Sequence, residues 1–148
     1  MKRFLAATAL FMLLCFMYLV TPFKTEAAFS AKTLIAEAHK VIGTPYRAGG
    51  TTPKGFDCSG FVSYTYKKIG VSLPRSSSAM YTKGRPVSLN QLAPGDLLFF
   101  KTSKHKGISH VAIYIGKNRM IHATSKGVKV DSIHQSYWKQ RFVGAKRL

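Results

Sequence analysis

Apolar residues fall along the chain in three regimes. Residues 4–20 form an unbroken, mainly apolar run behind a short basic start, Met1-Lys2-Arg3. From about 30 to 81 the apolar positions keep helical spacing, and from Leu92 onward they form short blocks that suit strands. In the middle regime Leu34, Ile35, Ala38, Val41 and Ile42 follow an i, i+3, i+4, i+7 pattern. They predict a helix over 30–42, capped by Ser30 and stopped by Gly43 and Pro45. A second helix is expected over 58–69, with Asp57 as N-cap, Phe61, Val62, Thr65, Tyr66 and Ile69 on one side, and Gly70 as terminator. Residues 43–55 read as a turn-rich loop, and the stretch after Leu73-Pro74-Arg75 as a loop or short helix reaching about 81.

In the third regime the turn Ala93-Pro94-Gly95-Asp96 leads into Leu97-Leu98-Phe99-Phe100, a continuous apolar block expected of a buried strand. Residues 101–107 are polar and basic, an exposed loop. A strand over 110–115, a turn over 116–119 and a return over 120–123 form a hairpin. Two further strands are expected at 128–133 and 142–145, with Trp138 between them. Helices first and antiparallel strands later predict an α+β domain, its N-terminal helices packed on a small antiparallel sheet. The 148 residues leave room for one domain with a real core, and no internal repeat or linker interrupts them.

The first regime changes the domain count. A basic start, an apolar run and small residues at Thr25, Ala27 and Ala28 match a secretory signal peptide cleaved after Ala27. The expected parts are a signal peptide, 1–27, and a folded domain, 28–148. A retained anchor is the alternative, since the run is at the lower limit of a membrane span. Cys15 is unsuited to lipid attachment, because bulky Leu14 precedes it. Export leaves Cys58 as the sole thiol of the mature chain, which excludes an internal disulfide and favours a working thiol or a link between chains. One cysteine also argues against structural zinc, and no cofactor is expected.

Charge narrows the partners. Lys and Arg number 23 against 5 Asp and Glu, a formal +18. Losing Lys2, Arg3 and Lys24 together with Glu26 leaves about +16. An exported chain this basic is expected to concentrate on polyanions: teichoic acids, peptidoglycan carboxylates or anionic lipid headgroups rather than nucleic acid. The plainer alternative is that the charge serves solubility alone.

Asp57 as N-cap puts Cys58 in a first helical turn, where unpaired N–H groups and the helix dipole favour a thiolate. A nucleophile needs a proton acceptor, and five histidines are available. His39, His105 and His134 lie in polar or helix-end contexts. His110 and His122 lie on the expected hairpin, twelve residues apart, and are expected to share a face if its turn has no bulge. Two histidines there, with a cysteine opening a helix, point towards a Cys–His–His constellation; satisfied strand-edge histidines are the alternative. Gly60, costly inside a helix, signals close approach of a backbone or a substrate. Tyr46 is either a ring packed on the core or a hydroxyl beside the thiol. Arg75 is either a solvated charge or a binder of substrate carboxylate.

The chain resembles the NlpC family of bacterial cell-wall cysteine peptidases, whose compact domain is papain-like. The resemblance rests on Gly43-Thr-Pro-Tyr46 with Gly49-Gly50, Asp57-Cys58-Ser59-Gly60-Phe61-Val62, Leu73-Pro74-Arg75, Pro94-Gly95-Asp96-Leu97, Ser109-His110-Val111 with Ile113-Tyr114-Ile115-Gly116, and Met120-Ile121-His122-Ala123. These runs follow family order from about 32 to 147. The resemblance implies that Cys58 is the nucleophile, His110 the general base and His122 the residue orienting it, with Tyr46, Asp57 and Ser59 shaping the site. It also implies a secreted or wall-associated endopeptidase that cleaves peptidoglycan stem peptides after D-γ-glutamate. Two departures fall where the family shapes its groove: Ala48 replaces an aromatic before the double glycine, and Met80 a glutamine. An amidase or acyltransferase with the same pair, a non-catalytic wall-binding protein and a basic membrane-surface protein are the competing readings.

Overall fold

The computed structural model describes residues 24–148, with side chains from residue 31 on. The expected signal peptide lies largely outside the described residues, and no described helix is long and apolar enough to cross a membrane. Helix α1 spans Lys24–His39. It starts upstream of Ser30, so Ser30 is a helix residue and not a cap; Glu26, Ala27 and Ala28 are strong helix formers that extend it backwards. The loop that follows contains a small hairpin, β1 (Thr51–Thr52) and β2 (Gly55–Phe56), which the turn-rich sequence concealed. Helix α2 runs Cys58–Lys67, and α3 is one turn, Ser77–Met80, capped by Ser76.

The remaining chain builds one six-stranded antiparallel sheet: β3 (Arg85–Val87), β4 (Leu97–Phe100), β5 (His110–Gly116), β6 (Arg119–Thr124), β7 (Gly127–Ser132) and β8 (Phe142–Arg147), in the order β3-β8-β4-β5-β6-β7. A short helix, α4 (Ser136–Arg141), precedes β8 and was not evident in the sequence. Leu97-Leu98-Phe99-Phe100 is apolar throughout because β4 is covered on both faces. Leu97 and Phe99 join Leu34, Phe61, Val62, Val111, Ile113 and Ile121 under the helices. Leu98 and Phe100 join Ala112, Met120 and Trp138 on the other face. Met80, expected at the groove, is fully buried under the helices: an unbranched apolar side chain fills core space there.

One detail of the β5–β6 hairpin sets the relation of its histidines. Its turn is Lys117-Asn118, both at positive φ (52° and 57°), and Gly116 pairs with Arg119. Continued without interruption, that register would send His110 and His122 to opposite faces. The observed pairs Tyr114↔Met120 and Ile113↔Ile121 leave Ile115 as an extra residue. This bulge shifts the register by one and brings both histidines to the same face. The expected condition is therefore reversed: the bulge aligns the histidines.

Candidate active site

Cys58 opens α2, and its cap is tied from three directions. Asp57 Oδ1 accepts from the Gly60 N–H (2.7 Å), and Oδ2 accepts from the Gly49 N–H (3.1 Å). The Arg75 guanidinium donates to Oδ1 (3.0 Å), to Oδ2 (2.6 Å) and to Ser59 Oγ (2.8 Å). Arg75, left open by the sequence between solvent and a substrate carboxylate, thus holds a carboxylate of its own chain. Burial pulls the Asp57 carboxyl upward, but Arg75 and the two N–H groups outweigh it and hold it below its ordinary value. Gly60 has the close neighbour its sequence position suggested: a Cβ there would meet the Gly50 carbonyl oxygen at 2.0 Å. Tyr46 is bridged to Phe56 and partly exposed, near enough to Cys58 and Asp57 for both to disfavour its phenolate, after burial. Ala48 is exposed beside the Gly49-Gly50 turn.

The sulfur lies against the start of β5. Cys58 Sγ is 3.8 Å from the Ser109 carbonyl oxygen, and the Val111 N–H favours its thiolate. Burial wins: it pushes the Cys58 thiol up, so the helix start alone does not give a standing thiolate. His110, between those two residues, is buried, and burial followed by its neighbour His122 pulls it down to about 3. The pair therefore rests as neutral thiol and neutral imidazole.

Behind His110 runs a chain of bonds. Its Nε2 is 2.9 Å from His122 Nδ1, and His122 Nε2 is 2.9 Å from Asp131 Oδ2. Asp131 Oδ1 accepts from Lys129 Nζ (2.9 Å) and Gln135 Nε2 (3.3 Å). His122 is fully buried; burial lowers its pKa, against the opposing pull of Asp131. Trp138 stacks on His110 (centroids 5.0 Å apart, 25° between planes) and meets the His122 ring edge-on at 4.7 Å. His39, His105 and His134 are exposed and take no part.

Sequence reasoning missed Asp131, Gln135 and the placement of Trp138. A signal existed for the first. Asp131 is an acidic residue in a strand that carries Val128 and Val130, and across a two-residue turn its odd separation from His122 puts the two on one face. Nothing comparable marked Trp138, which arrives on a short helix from outside the sheet.

A helix that begins on a cysteine, laid across an antiparallel sheet carrying paired histidines, is the plan of papain-like α+β domains. The chain belongs to the NlpC/P60 family, whose model matches residues 43–147. It is 50% identical over 115 residues to the probable endopeptidase p60 of Listeria welshimeri, covering 78% of this chain and 22% of that protein. It is 41% identical over 128 residues to the gamma-DL-glutamyl hydrolase of Bacillus subtilis (strain 168), covering 83% of this chain and 31% of that one. The chain thus spans a third or less of the length of these relatives. The crystal structure of the NlpC/p60 domain of the peptidoglycan hydrolase SagA superposes with a TM-score of 0.70 at 36% identity, over 80% of this chain and 98% of that domain.

Proposed function

We propose that this chain is a secreted cysteine endopeptidase that hydrolyses an amide bond in peptidoglycan stem peptides. The observation that carries the reading is the sulfur of Cys58 lying against the backbone on either side of His110, with His122 2.9 Å behind that imidazole. In the proposed reaction His110 takes the thiol proton as Sγ attacks the amide carbonyl. The oxyanion is held by the Cys58 N–H and the Tyr46 hydroxyl. The C–N bond then breaks, and the imidazolium gives its proton to the departing amine. Water, deprotonated by the same imidazole, hydrolyses the thioester and restores the thiol. Starting from a neutral pair, the charges appear only as the sulfur attacks, where the Val111 and Ser59 N–H groups favour the thiolate. Asp57, Ser59 and Tyr46 border the substrate, and Arg75 sets Asp57 in place. The name of the Bacillus relative supports cleavage beside a γ-linked glutamate.

The positive charge has a proposed purpose as well. Each of the four side-chain carboxylates among residues 31–148 already holds a base: Glu37 with Lys40, Asp57 with Arg75, Asp96 with Arg147, and Asp131 with Lys129 and His122. Lys101, Lys104 and Lys106 are exposed on the loop leading to His110. The excess is thus available to anionic wall polymers, and binding to them weakens as salt screens it. Digestion of purified walls and defined muropeptides, with mass analysis of the products, tests both parts. Wild-type protein releases fragments cut after γ-glutamate, while Cys58→Ala binds walls equally and releases nothing. Lysis by Cys58→Ala, or wall binding indifferent to salt, sinks the corresponding part. Products that separate the whole stem peptide from its sugar indicate an amidase instead.

A further inference from the structure

The chain of bonds behind His110 has a direction, and Asp131 imposes it. An ionised carboxylate only accepts hydrogen bonds. Burial pulls Asp131 upward, but Lys129 and His122 together hold it below its ordinary value, so it is ionised. His122 therefore carries its proton on Nε2, facing Oδ2 at 2.9 Å. Neutral His122 is then bare at Nδ1, and across 2.9 Å His110 must donate from its Nε2. Neutral His110 is thereby left with a lone pair on Nδ1.

We infer that Asp131 is a positioning residue that fixes the tautomers of both histidines and so keeps His110 Nδ1 free to take the thiol proton, an inference that rests on reading His110 as the base. Lys129 and Gln135 share the work. Both donate to Oδ1 and leave Oδ2 to the histidine.

This arrangement makes Asp131→Asn a sharp test. Lys129 has no acceptor, so the amide oxygen of the new residue turns towards it and the NH2 group faces His122 Nε2. That nitrogen must then be bare. The proton moves to Nδ1 and is donated to His110 Nε2, and His110 carries its own proton on Nδ1, where it blocks the thiol. Every buried partner stays bonded, so the fold is retained while the base is disabled. The expected loss is about 10³-fold in kcat, below the ~10⁴ measured when a protease triad is put in the wrong tautomer by one step rather than two. KM changes little. Adding Lys129→Met leaves Gln135 as the remaining partner. Because its own amide can present either end, the new amide is free to turn round and at least about tenfold of that loss is restored.

Imidazole ¹⁵N spectra give a readout that mere structural damage does not imitate. In the wild type His110 is protonated on Nε2 and bare on Nδ1; in Asp131→Asn the assignment reverses. A wild-type spectrum with the His110 proton on Nδ1 overturns the inference even if the variant fails to fold. So does an Asp131→Asn enzyme with wild-type kcat and spectrum while Cys58→Ala is dead. Activity that survives in Cys58→Ala instead removes the reading on which the inference rests.

Discussion

The two halves of the site are built by opposite means. The cysteine half is local and wet at its cap: Asp57, Cys58, Ser59 and Gly60 are consecutive, their cap is completed by the nearby Gly49 and Arg75, and Arg75 is 48% exposed, although Ser59 and Gly60 beneath it are buried. The histidine half is distant and dry: His110, His122, Asp131 and Trp138 come from three strands and a helix, and His122 is wholly buried. In the first half position follows from a helix cap, which tolerates small errors because water can replace a lost partner. In the second it follows from sheet register, which is all or none, since a one-residue slip turns every side chain over. Catalysis proposed for this pair therefore has a forgiving partner and an unforgiving one.

Exchanging two neighbours on β6, His122→Ala with Ala123→His, breaks the contrast most severely. The imidazole then leaves the face of β6 that it shares with His110 for the face under the helices, where Ala123 sits, and its bond to His110 Nε2 is lost. Muropeptide hydrolysis is expected to fall by about 10³-fold or more, on the scale of losing the group that orients a general base. Circular dichroism and the melting temperature separate this from unfolding. A folded exchange variant with wild-type activity would show that a shared face does not govern the histidines.

The same contrast explains what could be read from the chain. The apolar blocks gave β4, β5 and β6 and the start of α2, because burial on both faces or on one helical side leaves a period in the residues themselves. Cys58 and its cap were legible for the same local reason. Asp131 was not singled out, because its meaning depends on two registers at once, those of β5–β6 and β6–β7. Met80 was assigned by position in a family pattern, whereas its chemistry, an unbranched apolar side chain, already suited the core it occupies.

Acid sharpens the comparison by acting first on the dry half. His110 is neutral in the folded protein down to about pH 3, whereas the unfolded chain takes up a proton near 6.5. Between these values the unfolded state binds more protons, so stability is full above about pH 6.5 and is lost as pH falls towards 3. At pH 5 the cost is about 2 kcal/mol from this residue. The depressed His122 adds in the same direction below its ordinary value. Asp57, held low by Arg75, contributes stability that disappears only as pH drops through the carboxylate range. Urea unfolding of wild type and His110→Gln from pH 7 to 4 is expected to show the slope above pH 5 reduced in the variant. Equal slopes would mean that His110 is not held neutral by the fold.

The smallest effect is expected at the wet half, from Arg75→Met. The ion pair with Asp57 is about half exposed on the arginine side, and exposed pairs contribute up to about 1 kcal/mol. Its two-pronged geometry puts it at the upper end. Asp57 keeps the Gly60 and Gly49 N–H groups, so the cap survives and Cys58 stays in the first turn. The melting temperature is expected to drop by a few degrees and kcat to fall by a few-fold, with KM unchanged. Arg75→Lys restores charge without the fork and recovers only part of the stability. The alternative use of this side chain, gripping a substrate carboxylate, makes a different demand: KM rises with kcat and stability untouched, because only binding shared by ground and transition states is lost. Steady-state kinetics on one defined muropeptide, alongside the melting curve, therefore decides whether Arg75 serves the cap or the substrate.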